Sequence, residues 1–418
     1  MQKSGGAAIP MQLNSELMKF RIGNEETIKQ MPELSVDMPF TEGRIDFLNE
    51  ISRELLKDKE AKRYPDVVTF AFWIRRANME KGKEKFLSDG SLRIGRGVVF
   101  HIAPSNVAVN YAYSFAVGFV LGNANILRLP SRTFPQIEII NRTVCKVLDK
   151  DEYRKWTDYI AFLNYEKNKA VNDYFSSICD VRVIWGGDQT IREIRRSELP
   201  PRAGEVTFAD RYSICILNAE EYLGIEDKTR LAIDFYNDTF LSDQNACTSP
   251  RLVCWMGEGE KIQQAKGIFW EELWNVVAKE YEFQPVQYVD KLTNSCLAAT
   301  AIDGLHVVRM KDNRIVRIET AKISRLLQEY HGNSGAFYEY ELEDVMELAP
   351  VCNTKLQTVA VLGETDMVLP LVMSGVRGID RVVKIGKTME FGFIWDGYDL
   401  RERLTREIAV YKGESWHV

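Results

Sequence analysis

Between residues 97 and 217, short β-branched runs alternate with helical stretches, and that alternation constrains the fold more than any other feature. GVVFHIAP (97–104) reads as a buried strand ended by proline, and YAYSFAVGFVLG (111–122), apolar almost all round, predicts a buried helix ending at Gly122. NANILRLP (123–130) is again strand-like. From Phe134 to Asp149 the apolar residues Ile137, Ile140, Val144, Val147 and Leu148 recur at helical spacing. YIAFLNY (159–165), VRVIW (181–185) and SICIL (213–217) read as further strands. The pattern predicts an α/β fold, a parallel sheet covered by helices on both faces.

The first ~90 residues read as mostly helical, with AFWIRRA (71–77) the most apolar stretch, after a loose tail containing Gly5-Gly6. Beyond residue 225 the character changes. A helix is expected near 226–238 and another near 259–281, then a hairpin-like stretch at 306–319 and strands at 356–363 and 381–386. These shifts divide the chain into segments 1–225, 226–385 and 386–418.

With 45% apolar and 27% charged residues the chain is ordinary for a globular protein, and its formal charge of −6 disfavours a general nucleic-acid binder. No run reaches the roughly 18–20 apolar residues of a membrane helix, and the N-terminus lacks the apolar core of a signal peptide. A cytoplasmic location is expected. The seven cysteines are widely spaced without a CxxC pair, and the four histidines are scattered, so neither a disulfide framework nor a metal site is expected.

Three segments carry chemistry. In SDQNACTSPRLV (242–253) a small, polar stretch leads into a strand and places Cys247 on a turn, where a thiolate can face a cleft. Read singly, Cys247 fits an ordinary half-buried cysteine better than a nucleophile. In the segment 101–136, Asn106 sits between a strand and a helix, where its amide can donate to a carbonyl oxygen or simply serve a turn. Ser131 and Arg132 follow the next strand, where phosphate and ribose ligands meet the open end of a parallel sheet, although a solvated loop charge fits as well. In VRVIWGGDQTIREIRR (181–196) a strand runs into Gly186-Gly187 and then a helix, which lets backbone approach a pyrophosphate, but without the full GxGxxG fingerprint such a pair is more often just a tight turn.

Together, HIAPSNVAVN with GNANILRLPSR, VIWGGDQTIREIR, SDQNACTSPRLV and the late GIDRVVKIGKTMEFGFIWDGYDLRERLTR (378–406) resemble the long-chain acyl-CoA reductase family of bacterial bioluminescence (LuxC type), a branch of the aldehyde dehydrogenase superfamily. The resemblance runs from about residue 95 to the end. It implies a Rossmann-type cofactor domain, a second α/β catalytic domain carrying the cysteine, and a C-terminal segment that returns to the cofactor domain. It also implies an activity: NADPH-dependent reduction of an acyl thioester, on CoA or a carrier protein, to an aldehyde through a cysteine acyl-enzyme. Cys247 matches the nucleophile, and Asn106 matches the asparagine that joins the cysteine N–H in an oxyanion hole. Arg132, with Ser131, stands where NAD-using relatives place a glutamate against the ribose, so an arginine favours the 2′-phosphate of NADP. Gly186, Gly187 and Thr190 match the pyrophosphate-facing turn.

The stretch TFADRYSICIL (207–217) lacks the Glu-Leu-Gly-Gly pattern of hydrolytic relatives, with Glu205 and Asp210 nearby, and Glu347 in MELAPV is one residue out of register for a ribose-binding glutamate. The family further implies an acyl-activating ligase or acyl-protein synthetase as partner, and a homo-oligomer formed through a hairpin near SLRIGRG. Two other readings share the fold: a CoA-acylating aldehyde dehydrogenase for shorter aldehydes, and a non-catalytic subunit of an acyl-reducing complex. Tyr111, Tyr113, Phe115, Trp270 and Trp274 are expected in the core rather than along an acyl tunnel.

Overall fold

The computed structural model describes residues 17–88 and 90–410; Gly5-Gly6 and His417 lie outside them. The chain forms two compact units. One takes the chain up to Ala209 and again from Tyr398, and the other is Asp210–Gly397.

The first unit contains β1 (Lys19–Ile22), β2 (Arg93–Gly95), β3 (Val98–Ile102), β4 (Ala124–Arg128), β5 (Ile160–Asn164), β6 (Val181–Trp185) and β7 (Gly204–Phe208). Six of these form a sheet in the order β1-β5-β4-β3-β6-β7, parallel except for β1. Every residue of β3 and β6 is buried, which is why both read as unbroken apolar runs. The chain steps outward from β3 to β5, then returns to the other side of β3 with β6 and β7. This is the Rossmann order, and it leaves a switch point between β3 and β6, where Ile102 pairs with Ile184.

A buried polar chain ties the strands at that switch point. Trp185 Nε1 donates to Ser114 Oγ at 3.1 Å, and Ser114 Oγ lies 2.7 Å from His101 Nδ1. His101 Nε2 lies 3.0 Å from Asn125 Oδ1, and Asn125 Nδ2 donates to the Asn123 carbonyl at 3.0 Å. Only one tautomer satisfies both ring nitrogens: Nδ1 accepts from the serine and Nε2–H donates to the asparagine. Burial holds His101 at about 4, so it stays neutral. Gly118 makes this packing possible, because a Cβ there would sit 2.2 Å from Asn125 Oδ1.

The N-terminal region is part of this unit. Strand β1 pairs antiparallel with β5, a strand that four residues of mixed polarity did not signal. Arg44, fully buried on the helix Glu42–Lys57, donates to the carbonyls of Phe119 and Asn123 at 2.7 and 2.9 Å and pairs with Asp37 at 2.8 Å. It therefore satisfies carbonyls at the end of the helix Asn110–Val120. The SLRIGRG region supplies β2, which pairs antiparallel with Thr405–Glu407 near the chain's end.

The second unit contains β8 (Tyr212–Asn218), β9 (Pro250–Met256), β10 (Leu305–Val308), β11 (Val316–Thr320), β12 (Ala336–Leu342), β13 (Leu356–Leu362) and β14 (Arg381–Lys384). They form one sheet, β10-β11-β12-β9-β8-β13-β14, parallel except for the β10–β11 hairpin. The expected boundary near 225 is corrected here: β8 pairs with β9 and β13, so the chain changes unit at Ala209. It returns at Tyr398 rather than near 386, because the N–H groups of Gly386 and Thr388 still donate to Asp238 and Asp396 still accepts from Gln357.

Helices Lys228–Thr239 and Gly259–Glu280 cover one face with Phe235, Phe269 and Trp270. Tyr111, Tyr113, Phe115 and Trp270 are all buried in the core, and Trp274 packs at its margin. The helix Pro285–Ala301 is tethered by buried Lys291, whose Nζ donates to the carbonyls of Asn313, Arg314 and Ser334 at 2.6, 2.9 and 2.8 Å. Its ammonium also lies 4.5 Å from the centre of the Phe283 ring, and burial brings it down to about 7.

Candidate active site

Cys247 lies half-buried in the turn that precedes β9, at the amino-terminal edge of the second sheet. Asp243 and Gln244 open that turn in the left-handed region, with φ of 51° and 57°, a conformation that costs about 1–2 kcal/mol in a residue with a side chain. The fully buried Gln244 amide holds it there. Its Nε2 donates to the carbonyls of Pro250 and Ala336 at 2.9 and 3.1 Å, and its Oε1 accepts from the N–H groups of Gly335 and Ala336 at 3.0 and 3.2 Å. Ser334 N–H donates to the Asp243 carbonyl at 3.0 Å, and Asn333 Nδ2 donates to Asn245 Oδ1 at 2.8 Å. Gly335 must be glycine, because a Cβ would meet the Arg314 carbonyl at 2.4 Å at a φ of 92°. The turn before β12 thus braces the turn before β9.

The segment before β8 completes the setting. Ser213 Oγ donates to the Cys247 carbonyl at 2.7 Å, and the Arg211 backbone N–H near the Cys247 sulfur favours its thiolate. Burial pushes the thiol above its ordinary range. That Arg211 N–H pulls it down, the carboxylates of Asp396 and Asp210 push it up, and the Arg251 guanidinium pulls it down. Asp396 has a φ of 50°, accepts from Gln357 and is raised by its own burial to about 6. The ionisation of the thiol is therefore set by the balance of its burial and two carboxylates against one N–H and one guanidinium charge.

In the first unit the predicted residues gather at the carboxyl ends of the parallel strands. Asn106 is exposed in the bend after β3, while Ser131 and Arg132 are exposed in the bend after β4. Ser105 Oγ lies 2.9 Å from Ser131 Oγ, so the two bends are neighbours, and the Arg132 guanidinium sits 5.0 Å from the centre of the Phe134 ring. Gly186 and Gly187 follow β6, across the switch point from Asn106. A Cβ on Gly186 would touch Thr190 at about 3.1 Å, whereas one on Gly187 would meet nothing within 4 Å. Neither glycine has a positive φ, so their value lies in the absence of a side chain.

The sequence matches the family described as acyl-CoA reductase (LuxC) over residues 80–316, more than half of the chain. The chain belongs to the acyl-CoA reductase (LuxC) family. No curated protein matches the sequence. Among solved structures it is similar to a salicylaldehyde dehydrogenase from Pseudomonas putida G7 complexed with salicylaldehyde (TM-score 0.63, 13% identity, covering 94% of this chain and 89% of that one). It is also similar to aldehyde dehydrogenase 21 from Physcomitrella patens (0.63, 12%, 92% and 88%) and to a NAD-dependent benzaldehyde dehydrogenase from Corynebacterium glutamicum (0.60, 13%, 92% and 86%). The fold is that of the aldehyde dehydrogenases. The LuxC-family match spans Asn106, Arg132, Gly186, Gly187 and Cys247, and membership makes the protein an oxidoreductase that reduces acyl groups to aldehydes.

Several carboxylates that drew attention in this acyl-CoA reductase are engaged elsewhere. Glu205 bridges Arg182 at 2.5 Å and Arg195 at 2.7 Å. Glu347 caps a 3-10 helix: it accepts from the N–H groups of Glu343 and Asp344 at 2.8 and 2.9 Å and from Tyr340 at 2.6 Å. Phe208, in the stretch where hydrolytic relatives carry their glutamate, is buried and stacked on Trp185 at 3.8 Å. Sequence reasoning missed Gln244, Arg251, His331 and Asp396. The Asp-Gly pair at 396–397 was the one legible signal among them, as a turn. Among the described residues no cluster suits a metal ion, and no helix is long and apolar enough to cross a membrane.

Proposed function

We propose that this acyl-CoA reductase family member is an NADPH-dependent acyl-thioester reductase in which Cys247 carries the acyl group. The observation that carries this reading is the Cys247 turn, braced by the buried Gln244 amide. The thiolate attacks the thioester carbonyl, the carbon–sulfur bond to CoA or to a carrier-protein thiol breaks, and that thiolate leaves with the electron pair. Asn106 is assigned as the side-chain donor to the carbonyl oxygen as it gains charge. The acyl-enzyme persists because no glutamate occupies the deacylating position: Phe208 is packed away and Glu205 is ion-paired.

The first unit fits a dinucleotide by its strand order and by the loops at its switch point. When bound, the nicotinamide supplies the hydride that reduces the acyl thioester. Arg132, which no carboxylate neutralises among the described residues, suits the 2′-phosphate of NADP, with Ser131 beside it. The Gly186-Gly187 turn and Thr190 suit the pyrophosphate, the open side of Gly187 leaving room for it. A fatty acyl group, an acyl-activating ligase as donor and a homo-oligomer complete the proposal.

The test is intact-mass analysis after mixing the protein with a series of acyl-CoAs. An acyl adduct should form on Cys247, discharge as aldehyde on adding NADPH, and never form in Cys247→Ala. An adduct on another cysteine, or NADPH oxidation undiminished in Cys247→Ala, would sink the thiol mechanism.

A further inference from the structure

The strand that follows the Cys247 turn carries a cation that the proposed mechanism does not use. Arg251 extends from β9, half-buried, and its Nη1 donates to His331 Nε2 at 2.9 Å. Because a guanidinium only donates, that ring nitrogen is the acceptor and the imidazole is neutral, with its proton on Nδ1. Burial and then the neighbouring guanidinium hold His331 at about 4, so it remains neutral across the physiological range. Among the described residues Arg251 forms no ion pair, and its buried Nε–H has no hydrogen-bond partner. The other guanidinium in this region, that of Arg211, is by contrast paired with Asp380 and donates to the Leu356 carbonyl at 2.9 Å.

Four residues along the chain from Cys247, Arg251 is coupled electrostatically to the Cys247 sulfur and to the exposed Asp210. The charged groups that act on Cys247 are Asp396, Asp210 and Arg251, and those that act on His331 are Arg251, Asp210 and Lys355. Among the described residues this half-buried guanidinium has a neutral ring as its hydrogen-bond acceptor and no ion-paired carboxylate. We infer that Arg251, oriented by neutral His331, is a positioning residue for the Cys247 thiolate. When the thiol ionises, the S–H bond breaks, the proton passes to water, and Arg251 stays protonated as the counter-charge. The same counter-charge makes the sulfur a better leaving group when the aldehyde departs.

This inference rests on the reading of Cys247 as nucleophile, but its test needs no acyl substrate. Iodoacetamide alkylation of the full chain is followed peptide by peptide between about pH 6 and 10, with the exposed Cys296 as internal reference. R251Q should raise the Cys247 midpoint by about one pH unit, while R251K keeps it near the native value. H331L, which leaves the arginine charged but unheld, should also raise it, whereas H331Q, whose carbonyl still accepts, should not. The Cys296 midpoint should stay fixed throughout. If R251Q and H331L both alkylate with the native midpoint, or if Cys296 moves in step with Cys247, the inference is overturned. A native protein with an Arg251-dependent midpoint that takes no acyl adduct would instead remove the acyl-thioester reading and leave this one standing.

Discussion

The ionisation of the Cys247 thiol is set by its surroundings rather than by its residue type alone. Burial and two carboxylates raise its thiol, so alkylation and acyl transfer should accelerate as pH rises through and beyond neutrality, and a flat profile from pH 6 to 9 would contradict this balance. Gln244 fixes the geometry. Gln244→Leu leaves two N–H groups and two carbonyls without partners, so it should lower unfolding free energy by about 3 kcal/mol in urea and slow Cys247 alkylation. At the cofactor end, Arg132→Gln should raise KM for NADPH at least about tenfold and leave KM for NADH within about twofold. Cys247, Asn106 and Arg132 stand out in the sequence as candidates because their motifs follow one another in a recognisable order. Gln244 and Arg251 do not, because their partners, Ala336 and His331, lie far along the chain and no local pattern encodes such a pairing.

At the scale of elements, the buried strands were the easiest to see. β3, β4 and β6 are nearly or fully buried, so their sequences are simple apolar runs. β12 escaped notice because AFYEYEL mixes glutamates with aromatics. Its Glu339 is nevertheless buried, accepting from Trp255 and Trp270 Nε1 at 2.9 and 2.8 Å and from Arg317 Nε at 2.6 Å. The helix Pro285–Ala301 escaped because only Lys291 and Ala298 are buried, which inverts the usual amphipathic signal.

The helix Asn110–Val120 carries the sharpest prediction at this scale. Glycine normally weakens a helix interior, yet Gly118→Ala should cost about 2 kcal/mol, since the added methyl would displace Asn125 and His101. His101 also links these strands to pH. Its folded value, about 4, lies below the ordinary 6.5. Above 6.5 both folded and unfolded states are neutral; as pH falls below that, only the unfolded chain gains the proton. Stability should thus be fully present near pH 7 and fall by about 2 kcal/mol by pH 5 on this account. Denaturation of His101→Gln should show a correspondingly smaller acid dependence.

For the whole molecule, alternation of strand and helix announced the fold class but not which sheet each strand would join. β8 reads like one more strand of the first series, and only its pairing with β9 and β13 assigns it to the second unit. The two units also use opposite ends of their parallel strands: carboxyl ends hold the predicted cofactor residues, and amino ends hold the Cys247 turn. Within the second unit, the tether made by Lys291 has a chemical consequence. Three carbonyl oxygens and an aromatic face converge on one ammonium group, which is the description of a small host built around a covalently attached guest. Lys291→Gly would empty that host. Methylammonium added in millimolar amounts should then restore much of the lost thermal midpoint, while an equal concentration of sodium chloride should not.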